Sequence, residues 1–265
     1  MPSNPYQEIE TGGPGRIGWQ IHYFEEVGST QRVAAEMAEQ GAAQGTVVIA
    51  ELQTAGRGRL GRSWHSPPGV NLYATIILRP KIPLIEVPRL SLVAGVAAAE
   101  ALETVVPGIV TLKWPNDVWL NGRKAGGIIA EAITDSRQQL ACVLLGIGLN
   151  LNLALEDLPP DLRGKATSVR IATGRLCDRP AIASALFNRL HSRYMEAEAH
   201  GFAAVRPAFE RYMALRGRRV TVVEAGTPVA GMVRGIGVDG ALLLETEAGT
   251  VRVMAGDVTV EGAYE

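Results

Sequence analysis

Between positions 53 and 62 the chain reads Gln53-Thr54-Ala55-Gly56-Arg57-Gly58-Arg59-Leu60-Gly61-Arg62. Glycine admits positive φ and close backbone approach, and guanidinium groups present planar forks of donors. Alternating the two lets N–H groups and arginines converge on one carboxylate or phosphate. No acidic residue lies between Glu51 and Glu86, whereas Arg57, Arg59, Arg62, Arg79 and Lys81 all fall there. The same composition also suits a flexible solvated loop or an RNA contact. No Gly-Lys-Ser/Thr follows, so this is not a Walker A loop. No helix is expected directly after it, which separates it from a dinucleotide fingerprint. Trp64 could stack on a flat heterocycle such as adenine or simply pack the loop down. His65 has no partner pattern that would make it a base and reads as surface.

All but four of the 26 basic residues are arginine; the lysines are Lys81, Lys113, Lys124 and Lys165. Lys113 opens Lys113-Trp114-Pro115-Asn116-Asp117. Pro115 favours an extended Trp114 and ends a strand there. A strand-end lysine either meets an anion inside the sheet, since burying an unpaired ammonium is costly, or faces solvent above a plain turn. Glycines in 126–131 and 146–152 mark places where a ligand or another backbone approaches closely, or else bulges. Glu131 is the acid nearest these strands. No catalytic triad order, metal cluster or paired-carboxylate motif is present.

These residues need a scaffold, and the hydrophobic pattern supplies one. Ser29 or Thr30 caps a short amphipathic helix through Gln40, with Gly41 as its stop. Residues 46–52 and 72–78 read as buried strands, with a long polar loop over 53–71 between them. Residues 90–106 read as a core helix stopped by Pro107-Gly108. Short strands follow at 110–113, 118–120, 127–133 and 140–149, with Asn121-Gly122 as a type I′ hairpin turn. Residues 157–178 read as mixed loop, and Pro180 opens a helix to about His200, followed by another over 202–215. From 220 to 260, β-branched runs separated by Gly, Asp and Pro predict a small antiparallel barrel, docked on the larger domain.

The 265 residues are 47% hydrophobic and 20% charged, which excludes a disordered chain. A net charge of −1 argues against general nucleic-acid coating or anionic-membrane binding. Cys142 and Cys177 are too few for a disulfide framework. The N-terminal stretch has no apolar signal core, and residues 90–102 fall short of the ~20 residues of a membrane helix. A soluble, cytoplasmic protein is expected.

Taken in order, Ser29-Thr30, the Gly-Arg loop, Trp64, Asn71-Leu72-Tyr73, Lys113 to Asp117, Lys124 to Glu131 and Gly146 to Asn150 resemble the biotin–protein ligase family. The resemblance covers roughly residues 27–152, with the small C-terminal barrel in the expected place. It implies an α+β fold: a mixed β-sheet catalytic domain of the biotin/lipoate ligase type over 1–215 and an SH3-like β-barrel over 216–265. It implies that biotin is activated by ATP to biotinyl-5′-AMP with release of pyrophosphate, then passed to a lysine of a biotin carboxyl carrier protein. By the same resemblance, Ser29, Thr30, Gln53, Gly56, Arg57, Gly58, Arg59 and Lys113 hold biotin. Arg59, Arg62, Trp64, Lys113, Asn116 and Asn150 hold ATP, and Lys113, Arg57 and Arg59 carry the chemistry. Mg²⁺ would travel with ATP on phosphate oxygens and water, with no protein ligand set of its own.

Gln31 stands where the family often has Asn. Only 28 residues precede Ser29, too few for the winged helix-turn-helix of bifunctional members, so no DNA-binding repressor role is expected. Homodimerisation stays open. A lipoate or octanoyl transferase shares the architecture but lacks the Gly-Arg loop; a biotin or nucleotide sensor would bind without turnover.

Overall fold

A computed structural model describes residues 4–9, 17–224 and 226–260. Seven strands form one mixed sheet: β1 (Gln20–Val27), β2 (Thr46–Gln53), β3 (Leu72–Leu78), β4 (Val110–Lys113), β5 (Asp117–Leu120), β6 (Arg123–Thr134) and β7 (Leu140–Leu149). Their spatial order is β1-β2-β3-β7-β6-β5-β4, with β1 parallel to β2 and every other pair antiparallel. Every residue of β3 is buried, as a central strand covered on both faces requires. Alternate side chains reach opposite layers. Val47, Ile49, Ile76, Leu145 and Ile128 pack with α2 (Arg89–Leu102), α4 (Arg179–His200) and α5 (Phe202–Tyr212). Val48, Ile77, Cys142 and Leu144 pack beneath Ala34 of α1 (Thr30–Glu39).

Several boundaries differ from the sequence expectation for physical reasons. The core helix ends at Leu102 rather than Val106; the Val105 N–H bonds the Leu102 carbonyl, tightening the last turn ahead of Pro107. Residues 157–178 contain a short helix, α3 (Val169–Thr173), whose Ser168 hydroxyl caps the Ile171 N–H. Strand β1 has no counterpart in the sequence reading, because its half-exposed edge position permits the polar run Gln20-Ile21-His22-Tyr23-Phe24-Glu25-Glu26-Val27. The Asn121-Gly122 hairpin has positive φ at both residues, 48° and 74°, as a type I′ turn demands. Helix α5 stops at Tyr212, and the chain then bonds β4 through Ala214 N–H to the Leu112 carbonyl (2.9 Å).

Beyond that point β8 (Arg219–Glu224), β9 (Thr227–Ile236), β10 (Leu242–Thr246), β11 (Gly249–Val253) and β12 (Asp257–Val260) form a second, antiparallel sheet in the order β11-β10-β9-β8-β12. The expected barrel is thus a five-stranded sheet, with no ladder joining β11 to β12 among the described residues. Its inner row includes Val220, Val222, Val233, Leu242 and Leu244, all buried. Two side chains of the larger domain hold its β9–β10 turn: the Trp114 indole N–H donates to the Gly240 carbonyl and Arg89 Nε to the Asp239 carbonyl, each at 2.9 Å. Elsewhere in the larger domain, Arg179 pairs with Glu51 at 2.8 Å and donates to the Asn71 carbonyl and the Tyr6 hydroxyl.

Candidate active site

The Gly-Arg loop folds back on itself. Gly58 N–H donates to the Arg62 carbonyl (2.6 Å) and Trp64 N–H to the Gly56 carbonyl (2.9 Å). Leu60 takes φ 55° at the tip and is 72% exposed. This hairpin-like loop roofs two spaces, a narrow slot of about 50 Å³ and a wider cavity of about 340 Å³. Gly58, Arg59, Trp64, Asn116 and Lys124 line both.

The slot is assembled from the start of α1, the end of β2 and the glycines of β6 and β7. Gln53 Oε1 accepts from the Thr30 N–H (2.9 Å) and hydroxyl (3.1 Å), while its Nε2 donates to Ser66 Oγ (3.0 Å). Thr75 donates to the Thr30 hydroxyl at 2.9 Å. Against this satisfied frame, Ser29 Oγ, Gln31 Nε2 and Oε1, and Trp64 Nε1 are buried without a partner. Each such atom costs roughly 1–3 kcal/mol. Together they describe a slot built for a polar ligand with both donors and acceptors.

The glycines act as points of close approach. A Cβ at Gly146 would stand 3.0 Å from Gln31 Nε2, at Gly127 3.2 Å from Trp64 Cζ3, and at Gly148 2.7 Å from Trp64 Nε1. The indole therefore lies against bare backbone and borders both slot and cavity.

Charge is concentrated in the cavity wall, where Arg59, Arg62, Lys113 and Lys124 face Asp117 and Asp257. Arg59 Nη1 donates to Asn116 Oδ1 at 2.9 Å, and Lys124 pairs with Asp117 at 2.7 Å. Arg62 pairs with Asp257 of the C-terminal sheet, and Arg57 reaches Glu131 at 3.4 Å on the rim. Burial lowers the Lys113 pKa, with Asp117 opposing, and burial likewise lowers that of Arg59. Cations held partly desolvated, with fewer carboxylates than they could pair, attract a polyanion. Asn150 is buried on the far wall, its Nδ2 donating to the Thr167 carbonyl (3.0 Å), beside the apolar Leu153, Leu158 and Leu162.

A match to the model of the Biotin/lipoate A/B protein ligase family spans residues 23–150, and one to the Biotin protein ligase C terminal domain spans 216–260. The chain is 35% identical to the Bifunctional ligase/repressor BirA of Bacillus spizizenii over 242 residues, 91% of this chain and 74% of that one. The chain belongs to this ligase family. It is also 35% identical to the Biotin--[acetyl-CoA-carboxylase] ligase of Mycobacterium tuberculosis, covering 91% of this chain and 89% of that one. The biotin protein ligase of Aquifex aeolicus, solved in complex with biotin and ATP, superposes with a TM-score of 0.79 at 30% identity, covering 91% and 98% of the two chains.

The expected site residues divide between the two spaces. Ser29, Thr30, Gln53 and Arg57 line the slot; Arg62, Lys113 and Asn150 line the cavity; Gly58, Arg59, Trp64 and Asn116 serve both. Gly56 lies behind the slot wall, where a Cβ would meet the Trp64 carbonyl at 2.5 Å. His65, expected at the surface, instead lines the cavity with Nε2 3.0 Å from the Asp157 carbonyl. Lys124, one of the four lysines and the start of the glycine-containing segment 124–131, was given no site role by the sequence, yet it borders both spaces with its ammonium 5.6 Å above the Trp64 ring. The hairpin register could have found it, since the Asn121-Gly122 turn returns β6 alongside Asp117. Asp257, Val258 and Thr259 carry no such local signal; only the docking of the second sheet brings them to the cavity.

Proposed function

We propose that this protein is an ATP-dependent biotin–protein ligase, whose slot takes biotin and whose cavity takes ATP. The observation that carries this reading is the narrow slot with four unpaired buried polar atoms opening into a cationic cavity. A ureido ring offers both donors and acceptors, and the Ser29, Gln31 and Gln53 region presents complementary groups. Biotin's carboxylate would then emerge beside Arg59 and Lys124, which border both spaces.

One carboxylate oxygen attacks the α-phosphorus, the bond to the β-phosphate oxygen breaks, and pyrophosphate leaves. Two anions must meet for this, so cations at the junction offset their repulsion and stabilise charge as it builds. Lys113 lines the cavity beside Arg59 and Lys124, which border both spaces, so we assign the carboxylate and α-phosphate contact to Lys113 and Arg59 with Lys124 beside them, and the outer phosphates to Arg62. Trp64 and Asn150 flank the adenine. The carboxylates nearest the phosphates, Asp117 and Asp257, already pair with Lys124 and Arg62, which suits Mg²⁺ carried on phosphate oxygens and water. Magnesium would supply charge neutralisation there.

In the second step the ε-amine of a carrier-domain lysine attacks the biotinyl carbonyl and AMP leaves. The catalytic domain would end at Leu215 and the C-terminal domain begin at Arg216, in the cytoplasm where the carrier is made. No helix among the described residues is long and apolar enough to cross a membrane.

Intact-mass spectrometry of a biotin carboxyl carrier domain, incubated with the protein, biotin and MgATP, tests the reading. The expected result is a gain of one biotin that disappears without ATP. No gain, or a gain from lipoate or octanoate in place of biotin, overturns it.

A further inference from the structure

Lys113 and Trp114 are neighbours, but their polar atoms serve different ends. Both line the cavity, but the Trp114 side chain is only 1% exposed and its one donor bonds Gly240 of the second sheet. The preceding carbonyl, Asp239, is held by Arg89 of α2. Gly240 has φ +82°, and a Cβ there would lie 2.8 Å from Leu92 Cδ1 and 3.6 Å from Phe202 Cε1. The β9–β10 turn is thus pressed into a notch between α2 and α5, with two consecutive carbonyls capped by the larger domain.

A second attachment lies at the chain crossing itself, where Arg216, the first residue of the C-terminal domain, pairs with Glu210 of α5 at 3.1 Å. One attachment fixes position; a second, displaced from it, fixes rotation. The Arg216–Glu210 pair and the link across the cavity, Arg62 with Asp257, join arginines that are 53% and 67% exposed, and exposed pairs hold geometry weakly. The rotation that carries Asp257, Val258 and Thr259 to the cavity is therefore set at the Trp114 end. We propose that Trp114 is a positioning residue, whose indole N–H seats the C-terminal domain so that β12 completes the nucleotide cavity. The identity of the occupant rests on the proposed ligase activity; the seating does not.

Trp114→Phe keeps an aromatic ring and removes the donor, while Gly240→Ala pushes the turn out of its notch from the other side. Calorimetry with biotin and with ATP should show ATP affinity falling about tenfold and biotin affinity staying within about twofold, because among the described residues none of the C-terminal sheet lines the slot. Amide exchange should rise both at 237–241 and at 57–64, the loop that pairs with Asp257. Equal weakening of both ligands, unchanged binding, or faster exchange confined to 237–241 would each overturn the proposal. Should the wild-type protein bind neither ligand, the ligase reading fails while the exchange experiment still decides the seating. If Trp114→Phe does not fold, the same measurements on Gly240→Ala decide between these outcomes.

Discussion

Substituting alanine for Gly148 isolates what Trp64 does. The added methyl would sit 2.7 Å from both Cε2 and Nε1 of the indole, about 0.8 Å inside an ordinary ~3.5 Å contact. The indole cannot slide sideways, because the Trp64 N–H is bonded to Gly56 and the loop is closed by Gly58 and Arg62. Overpacking of this kind costs about 1–3 kcal/mol, or roughly 5- to 150-fold in affinity if it falls on the bound state. In the free protein the loop can lift and escape the clash, so the loss should appear in nucleotide binding and little in thermal stability. Gly146→Ala is the control two residues away on the same strand. It meets the far end of the flexible Gln31 side chain at 3.0 Å and should disturb biotin instead. Isothermal calorimetry with each ligand, alongside thermal melts, reads all four combinations. If Gly148→Ala leaves ATP affinity unchanged, Trp64 does not form a wall shared by the two spaces and the nucleotide assignment of the wider cavity loses its main support.

Lys113→Gln and Lys124→Gln should each lower the rate of biotinyl-adenylate formation, by about a hundredfold or more for Lys113, as read by pyrophosphate-release kinetics; an unchanged rate for Lys113→Gln would remove it from the reacting centre. Since burial lowers the Lys113 pKa, its ammonium is lost at a lower pH than an ordinary lysine near ~10.4. ATP affinity that needs this charge should therefore fall as pH rises into the alkaline range, and Lys113→Arg should abolish the decline in a binding titration. Arg179→Met leaves Glu51, with only 14% of its side chain exposed, buried beside Tyr6 without its cation. A loss of about 3–5 kcal/mol in urea unfolding is expected, and a loss under ~1 kcal/mol would show that water replaces the pair.

How far the sequence could be read depended on whether a residue's partner was near it along the chain. The Gly-Arg loop and Lys113 to Asp117 stand out because each is a contiguous run whose residue types suit an anion, although each run alone also fits a solvated loop or turn. Buried strands such as β3 announced themselves through unbroken apolar runs, while β1 stayed hidden because an edge strand can keep Gln20, Glu25 and Glu26 in water. Gly146 and Gly148 signalled close approach, but only the fold shows that Gln31 and Trp64 are what approaches. Lys124 looked ordinary until β5 and β6 paired and set it against Asp117. His65 is half-buried, and its contact with the Asp157 carbonyl comes from a segment 92 residues away that local sequence does not reveal. Asp257 was beyond reach, since nothing local in Gly256-Asp257-Val258 distinguishes it from any strand opening.

The two spaces are completed at different points along the chain. The slot takes its last residue at Gly148, whereas the cavity waits for Asp257, Val258 and Thr259, about 110 residues later. At translation rates of ~5–20 residues per second that gap lasts roughly 5 to 20 s. A chain still on the ribosome therefore holds every residue of the slot before it holds every residue of the wider space. Until synthesis has passed the second sheet, the wider space lacks the part of its wall that β12 supplies.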